Sequence, residues 1–136
     1  MIKFVGDNGR IEVDALDYQD VSAANCDDRN WLTCRILACL GDFRFTANCA
    51  IQTYDIQNLY DLFKCKSRSF SWSFPEDDIV IELCVDDGTL KSVRLVFRHK
   101  IAAEEMSCSC TVSTQMPCRD ILDDIEELMV EFPVLR

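Results

Sequence analysis

The chain has 136 residues, 49% hydrophobic and 28% charged, with only 4 Gly and 3 Pro, which is the balance of one globular domain and not of a disordered tail. Fourteen Lys and Arg against 24 Asp and Glu give a net charge of −10, a field that repels phosphate backbones and argues against nucleic acid as a direct ligand. No apolar run reaches the roughly 18 residues of a membrane span, and Met1 to Gly6 lacks the long apolar segment and cleavage site of a secretory leader, so the expected location is cytoplasmic.

Along the chain, Asn8-Gly9 suits a type I′ hairpin, and Ile11 and Val13 alternate after it. From Asp14 to Arg29 the chain reads as a long loop or irregular edge, carrying Asp14, Asp17, Asp20, Asp27 and Asp28 around Ser22-Ala23-Ala24. Trp31 to Leu40 is apolar on both faces except at Thr33 and Arg35, which predicts a central strand covered on both sides. Gly41-Asp42 suits a type II′ turn into a strand with Phe43, Phe45, Ala47, Cys49 and Ile51 on one face. Thr53 is a candidate N-cap for an amphipathic helix with Ile56, Leu59, Tyr60 and Phe63 at helical spacing.

Ser69 to Phe74 alternates hydroxyls with Phe70, Trp72 and Phe74 until Pro75, and predicts a strand whose aromatics face the core. A base-stacking role needs interleaved cations, and none lies between Ser69 and Asp78. Ile79, Ile81, Leu83 and Val85, the type I′ dipeptide Asp87-Gly88, and Val93, Leu95 and Phe97 predict a further hairpin. Pro117 opens the last helix, whose stripe of Cys118, Ile121, Leu122, Ile125, Leu128, Met129 and Phe132 ends at Pro133. Its other face carries Asp120, Asp123, Asp124, Glu126, Glu127 and Glu131. The pattern predicts an α+β fold: one mainly antiparallel sheet built from hairpins, two packed amphipathic helices, and the order strands-helix-strands-helix within one domain over 1–136.

Signals of chemistry are sparse. His99, the only histidine, stands between Arg98 and Lys100, where neighbouring cations lower its basicity. No G-x-S-x-G or phosphate-binding glycine loop exists, and Asp86-Asp87-Gly88 lacks calcium-loop spacing. Carboxylate pairs at Asp27-Asp28, Glu76 with Asp77-Asp78, and Glu104-Glu105 carry no geometry by adjacency alone. The nine cysteines form no C-x-x-C motif. Cys108-Ser109-Cys110 puts two thiols on one strand face, where Cys serves as a small apolar filler. Neither cofactor, metal nor catalytic residue is expected, and the chain reads as a non-enzyme.

Asp27-Asp28-Arg29-Asn30-Trp31-Leu32 leading into a strand, the hairpin Gly41-Asp42-Phe43, Phe45 to Ile51 running into Thr53-Tyr54-Asp55, and the closing Asp123-Asp124-Ile125-Glu126-Glu127-Leu128 to Glu131-Phe132-Pro133 together carry a resemblance. The chain resembles the immunity proteins paired with wall-associated contact-dependent toxins, the WapI-type family, from Ile2 to Val134. Its cysteine load and the Met106 to Cys118 segment depart from that pattern. The resemblance implies a bacterial, non-enzymatic cytosolic inhibitor that binds a cognate toxin domain, a nuclease in many such systems. An acidic inhibitor suits the cationic surface a nuclease offers to phosphates. Candidate contact residues are Asp14, Asp17, Asp27 and Asp28 in the first acidic region and Asp123, Asp124, Glu126 and Glu127 on the last helix. Two other readings fit the residues: an interaction module or homo-oligomer subunit pairing through exposed strand edges, and a metal-binding protein using Cys108, Cys110 and Cys118.

Overall fold

The computed structural model describes residues 1–65, 68–74 and 78–136. The elements are β1 (Ile2–Gly6), β2 (Gly9–Tyr18), α1 (Cys26–Arg29), β3 (Trp31–Leu40), β4 (Phe43–Gln52), α2 (Thr53–Phe63), β5 (Arg68–Phe74), β6 (Ile79–Asp86), β7 (Thr89–Ile101), β8 (Glu104–Pro117) and α3 (Cys118–Glu131). The antiparallel α+β character follows the alternation, but the strands form two four-stranded meanders, β1-β2-β3-β4 and β5-β6-β7-β8, instead of one sheet. Alternation fixes which face of a strand is buried and says nothing about whether β4 pairs with β5 across the intervening helix. The short α1 also breaks the expected order, giving three helices among the described residues.

Turn chemistry places three hairpins. Asp87 and Gly88 both have positive φ, 48° and 72°, as a type I′ turn requires, and Gly41 has φ 55° at the first central position between Leu40 and Phe43. In the first hairpin Gly6 pairs with Gly9, so Asp7 and Asn8 make the turn, one residue before the expected pair. The β7–β8 turn carries Ala102 at φ 57°, a conformation with no glycine signal to announce it. Pro75, the expected strand stop, and the Glu76-Asp77 carboxylates lie outside the described residues.

The acidic stretch is more ordered than expected. β2 continues through Asp14 and Asp17 to Tyr18, with a bulge between Ala15 and Asp17, and pairs with β3 throughout. Asn25 then caps α1 by accepting from the Asp27 N–H at 2.7 Å. The strand Trp31–Leu40 is central, between β2 and β4, yet only its even face is sealed. Leu32, Cys34, Ile36 and Ala38 are buried, Trp31, Thr33, Leu37 and Cys39 are half-buried, and Arg35 is exposed. Apolar side chains on both faces are therefore compatible here with one open face.

One core joins both sheets. Ile2, Phe4, Ile11, Leu32 and Ile36 from the first and Phe74, Ile81, Leu90 and Val112 from the second share it with Ile56, Leu59 and Phe63 of α2 and Ile121, Ile125 and Leu128 of α3. Phe70, Trp72 and Phe74 point inward as expected, with Phe70 edge-on to Phe63 at 5.1 Å. α2 and α3 lie against each other, and α3 also against β1 and β8.

The sheets meet where β1 lies beside β8, and side chains there stand in for a ladder. Asn8 Nδ2 donates to Thr111 O at 3.0 Å while its Oδ1 accepts from Ser113 N–H at 3.2 Å, and Thr114 Oγ1 donates to Val5 O at 2.6 Å. The approach is so close that a Cβ on Gly6 would fall 1.9 Å from Ser113 O. Only glycine fits there. Replacing Gly6 by Ala should cost about 2 kcal/mol, the scale of overpacking, measured as a lower urea midpoint with an unchanged slope.

A second joint is the side chain of Asn30, fully buried. Its Nδ2 donates to Cys26 O at 2.7 Å and Leu135 O at 2.8 Å, and its Oδ1 accepts from Leu135 N–H at 2.7 Å and Thr53 Oγ1 at 2.8 Å. The backbone adds Thr53 N–H to Asn30 O at 2.9 Å. Thr53 is consequently the first residue of α2 and not its cap. Gln52 is the N-cap, and its N–H donates to Asp55 Oδ2 at 2.9 Å, the returning half of a capping box. Asn30→Ala strands several buried partners at once and should cost about 3 kcal/mol or more, read as a lower thermal midpoint together with faster amide exchange at Leu135.

Candidate functional site

The two acidic regions occupy different elements, and several of their carboxylates already have intramolecular work. Asp14, half-buried on β2, sits 3.6 Å from the Met1 amino group. Asp17 Oδ1 accepts from the Tyr18 N–H at 2.8 Å. On α3, Asp124 Oδ2 accepts the Lys3 N–H at 3.0 Å and so ties the helix to β1, while Glu126 Oε1 accepts from Tyr60 Oη at 2.7 Å and ties it to α2. Asp27 and Asp28 in the first turn of α1, and Asp123 and Glu127 on α3, are exposed.

The chain's last residues link the segments bearing the two surfaces. Tyr18 Oη donates to Pro133 O, its ring meets Phe132 edge-on at 5.5 Å, and Asn30 holds Leu135. Burial raises the Tyr18 phenol above its ordinary value. At Tyr60 the hydrogen bond to Glu126 is the main cause of a rise, with burial and the charges of Glu126, Asp61 and Asp123 adding to it. A phenol raised in the folded state contributes fully below the ordinary phenol range, and that contribution is lost as pH climbs through the raised value.

No disulfide joins the nine cysteines, all of which are among the described residues. Cys34 and Cys49 are buried opposite each other on β3 and β4, packed as small apolar side chains. Cys108 and Cys110 share a face of β8, opposite Phe97 and Leu95. Among the described residues no three potential ligand side chains gather into a cation site, so Cys118 does not join that pair in one. Burial pushes the Cys110 and Cys118 thiols up, Cys110 also feeling the Cys108 charge while a Leu95 backbone hydrogen bond opposes the rise. His99 is exposed, its ring stacked on Phe97 at 6.1 Å.

One feature has scarcely any local signature in the sequence. Between the end of β4, the edge strand β5 and α2 runs a groove of about 430 Å³ whose lining includes Trp31, Gln52, Asp55, Asn58, Ser71 and Trp72. Trp31 begins the strand that Asn30 anchors and is half-buried. Trp72 is 5% exposed, and its Nε1 has no hydrogen-bond partner among the described residues. Gln52 Nε2 reaches Asp27 O at 3.4 Å, which sets the acidic α1 at the groove's end. The wall residues come from three separate stretches of chain, at Trp31, from Ala50 to Leu62 and from Ser71 to Ser73, so their spacing carries no signal; Asn30-Trp31 at a strand start is the one local hint.

A family model of WapI-like immunity proteins matches residues 2–133. The chain belongs to the WapI-like immunity protein family. The match runs through the Met106 to Cys118 segment that departed from the expected pattern. Searches of curated proteins and of solved structures find no match. No helix among the described residues is long and apolar enough to cross a membrane.

Two solution tests follow from this geometry. With a thiol reagent near neutral pH, the exposed Cys26 and Cys65 should react first, and Cys34, Cys49 and Cys118 only on unfolding; equal rates for all nine would contradict the packing. In melts from pH 8 to about pH 11, stability should fall at the alkaline end, and Tyr60→Phe should flatten that fall.

Proposed function

We propose that the chain is a non-enzymatic immunity protein that acts in the cytoplasm, where it binds and neutralises the cognate toxin domain of a contact-dependent system, a basic nuclease. Family membership over residues 2–133 carries this reading. The net charge of −10 supports it, because an acidic inhibitor competes for the cations that a nuclease presents to phosphate and is steered to them at low salt. It makes no direct contact with nucleic acid or membrane.

The proposed contact surface consists of Asp14, Asp17, Asp27 and Asp28 with Asp123, Asp124, Glu126 and Glu127. A cost built into α3 supports its acidic face. The last turn contains no base, and Glu131 lies there beside the negative end of the helix dipole, at about 0.3–1 kcal/mol for such a charge. Asp123, Glu127 and Glu131 also repeat like charges four residues apart. A helix selected only for stability would carry Lys or Arg at these places.

The deciding experiment titrates the chain with the toxin domain encoded immediately upstream of its gene, at two salt concentrations, and follows toxin activity. Tight, salt-sensitive binding that abolishes activity is expected. Failure to bind an active toxin domain would move the reading to a homo-oligomeric or general interaction module. Changing Asp27, Asp28, Asp123 and Glu127 together to Lys should weaken binding about tenfold or more, mainly through a slower association rate, and leave the fold intact. Asp124→Lys and Glu126→Lys should lower stability as well, since each carboxylate accepts an internal hydrogen bond.

A further inference from the structure

We infer that the groove between β4, β5 and α2 is the anchor site of the interface, and that it takes an arginine side chain of the basic partner protein. The inference rests on the immunity reading and adds to it the chemistry of the central contact. Acidic rims speed and select association, but affinity concentrates in a few pocketed contacts rich in Trp and Arg. An interface built only from Asp27, Asp28 and the α3 acids would lack such a centre.

The groove's composition selects the ligand. It contains one acid, Asp55, and no Lys, Arg or His. Four other surface grooves each match acids with positive groups: Lys91 with Asp7, Arg94 with Glu82, Arg35 and the Met1 amino group with Glu12 and Asp14, and Arg98 with Asp78. Charge is thus locally balanced in those four and left negative here. Asp28 and Asp27 add to the bias from α1, whose Asp27 carbonyl is bonded by Gln52 from the groove wall.

Polar groups and aromatic surface then favour guanidinium over ammonium. Asp55, Asn58, Ser71 and Ser73 line the space, and their carboxylate, amide and hydroxyl oxygens are acceptors suited to a planar group with five N–H donors. The half-buried Trp31 indole provides a surface on which a guanidinium stacks with cation–π attraction. Leu59 and Leu62 line the same space and suit the aliphatic stem of a long cationic side chain. Trp31 is held in position because the residue before it is Asn30, and Asp55 because it closes the α2 capping box. Both are therefore preorganised, which lowers the ordering cost of binding.

Trp31 and Trp72 are the chain's two tryptophans, and both line the groove, so indole N–H signals report on it selectively. In the first arm, the ¹⁵N-labelled protein is titrated with N-acetyl-arginine amide, and with N-acetyl-leucine amide as comparator. The Trp31 signal, assigned with Trp31→Phe, should move saturably with arginine and not with leucine. Asn58→Arg, an exposed change on α2 that places a competing guanidinium in the mouth, should abolish the movement; Ser73→Arg, on the opposite wall, serves if the first variant misfolds. No movement, or equal movement with leucine, overturns the inference. In the second arm, Asn58→Arg should weaken binding of the upstream toxin domain at least about tenfold, the scale of a hot-spot loss. Equal binding by wild type and variant overturns the anchor assignment while the immunity reading survives. If the wild type does not bind that toxin, the immunity reading fails, and the first arm alone decides whether the groove takes arginine.

Discussion

Asn30 is the interaction on which the remaining architecture depends. A side-chain amide has two donors and two oxygen lone pairs to satisfy, and here every one is used, by α1, by the first residue of α2 and by both backbone groups of Leu135. An apolar residue could pack against three chain segments but could not fix their backbone groups in register, because dispersion is non-directional. The network fixes the start of β3, and with it the position of Trp31. It also ties down Thr53, the first residue of α2, two residues before Asp55. Wall and carboxylate of the groove therefore descend from one buried amide.

The acidic residues divide between two duties that composition does not separate. Asp124 and Glu126 are fasteners, holding α3 to β1 and α2, whereas Asp27, Asp28, Asp123 and Glu127 remain in solvent. Surface ion pairs contribute little to this fold; the four recorded among described residues join partly or largely exposed groups. The acids make better sense as a field than as bonds. That field is expensive at the end of α3 and is kept there without a compensating base.

Much of the fold was legible because β-alternation is a local property. Phe70, Trp72 and Phe74 pointed inward, Asp87-Gly88 turned as its φ angles required, and the apolar stripe of α3 ran from Cys118 to Phe132. The failures were of another kind. Pairing of strands into one sheet or two is decided by contacts far apart in sequence. Asn8 is the turn residue its type announces, and nothing local signals that its amide also spans a seam to β8. The apolar outer face of β3 suggested a second covering layer, although Trp31, Leu37 and Cys39 stay half-open. Of the site, the acids were visible in composition. The groove was not, since β3, β4, α2 and β5 each supply only part of it.

The seam between β1 and β8 sets an order of events during synthesis. β1 leaves the ribosome well before its neighbours Thr111, Ser113 and Thr114 and the α3 carboxylate that accepts from Lys3, which lie more than a hundred residues later. At roughly 5–20 residues per second, the ribosome leaves that strand edge uncovered for several seconds or more. The first sheet, closed by local hairpins, can form in that interval, but its inner face has no second sheet to rest on. A nascent chain is then a half-core with an open edge, the state most prone to pairing with its copies. The hazard of association between copies is therefore concentrated in synthesis and ends once β8 and α3 dock against β1.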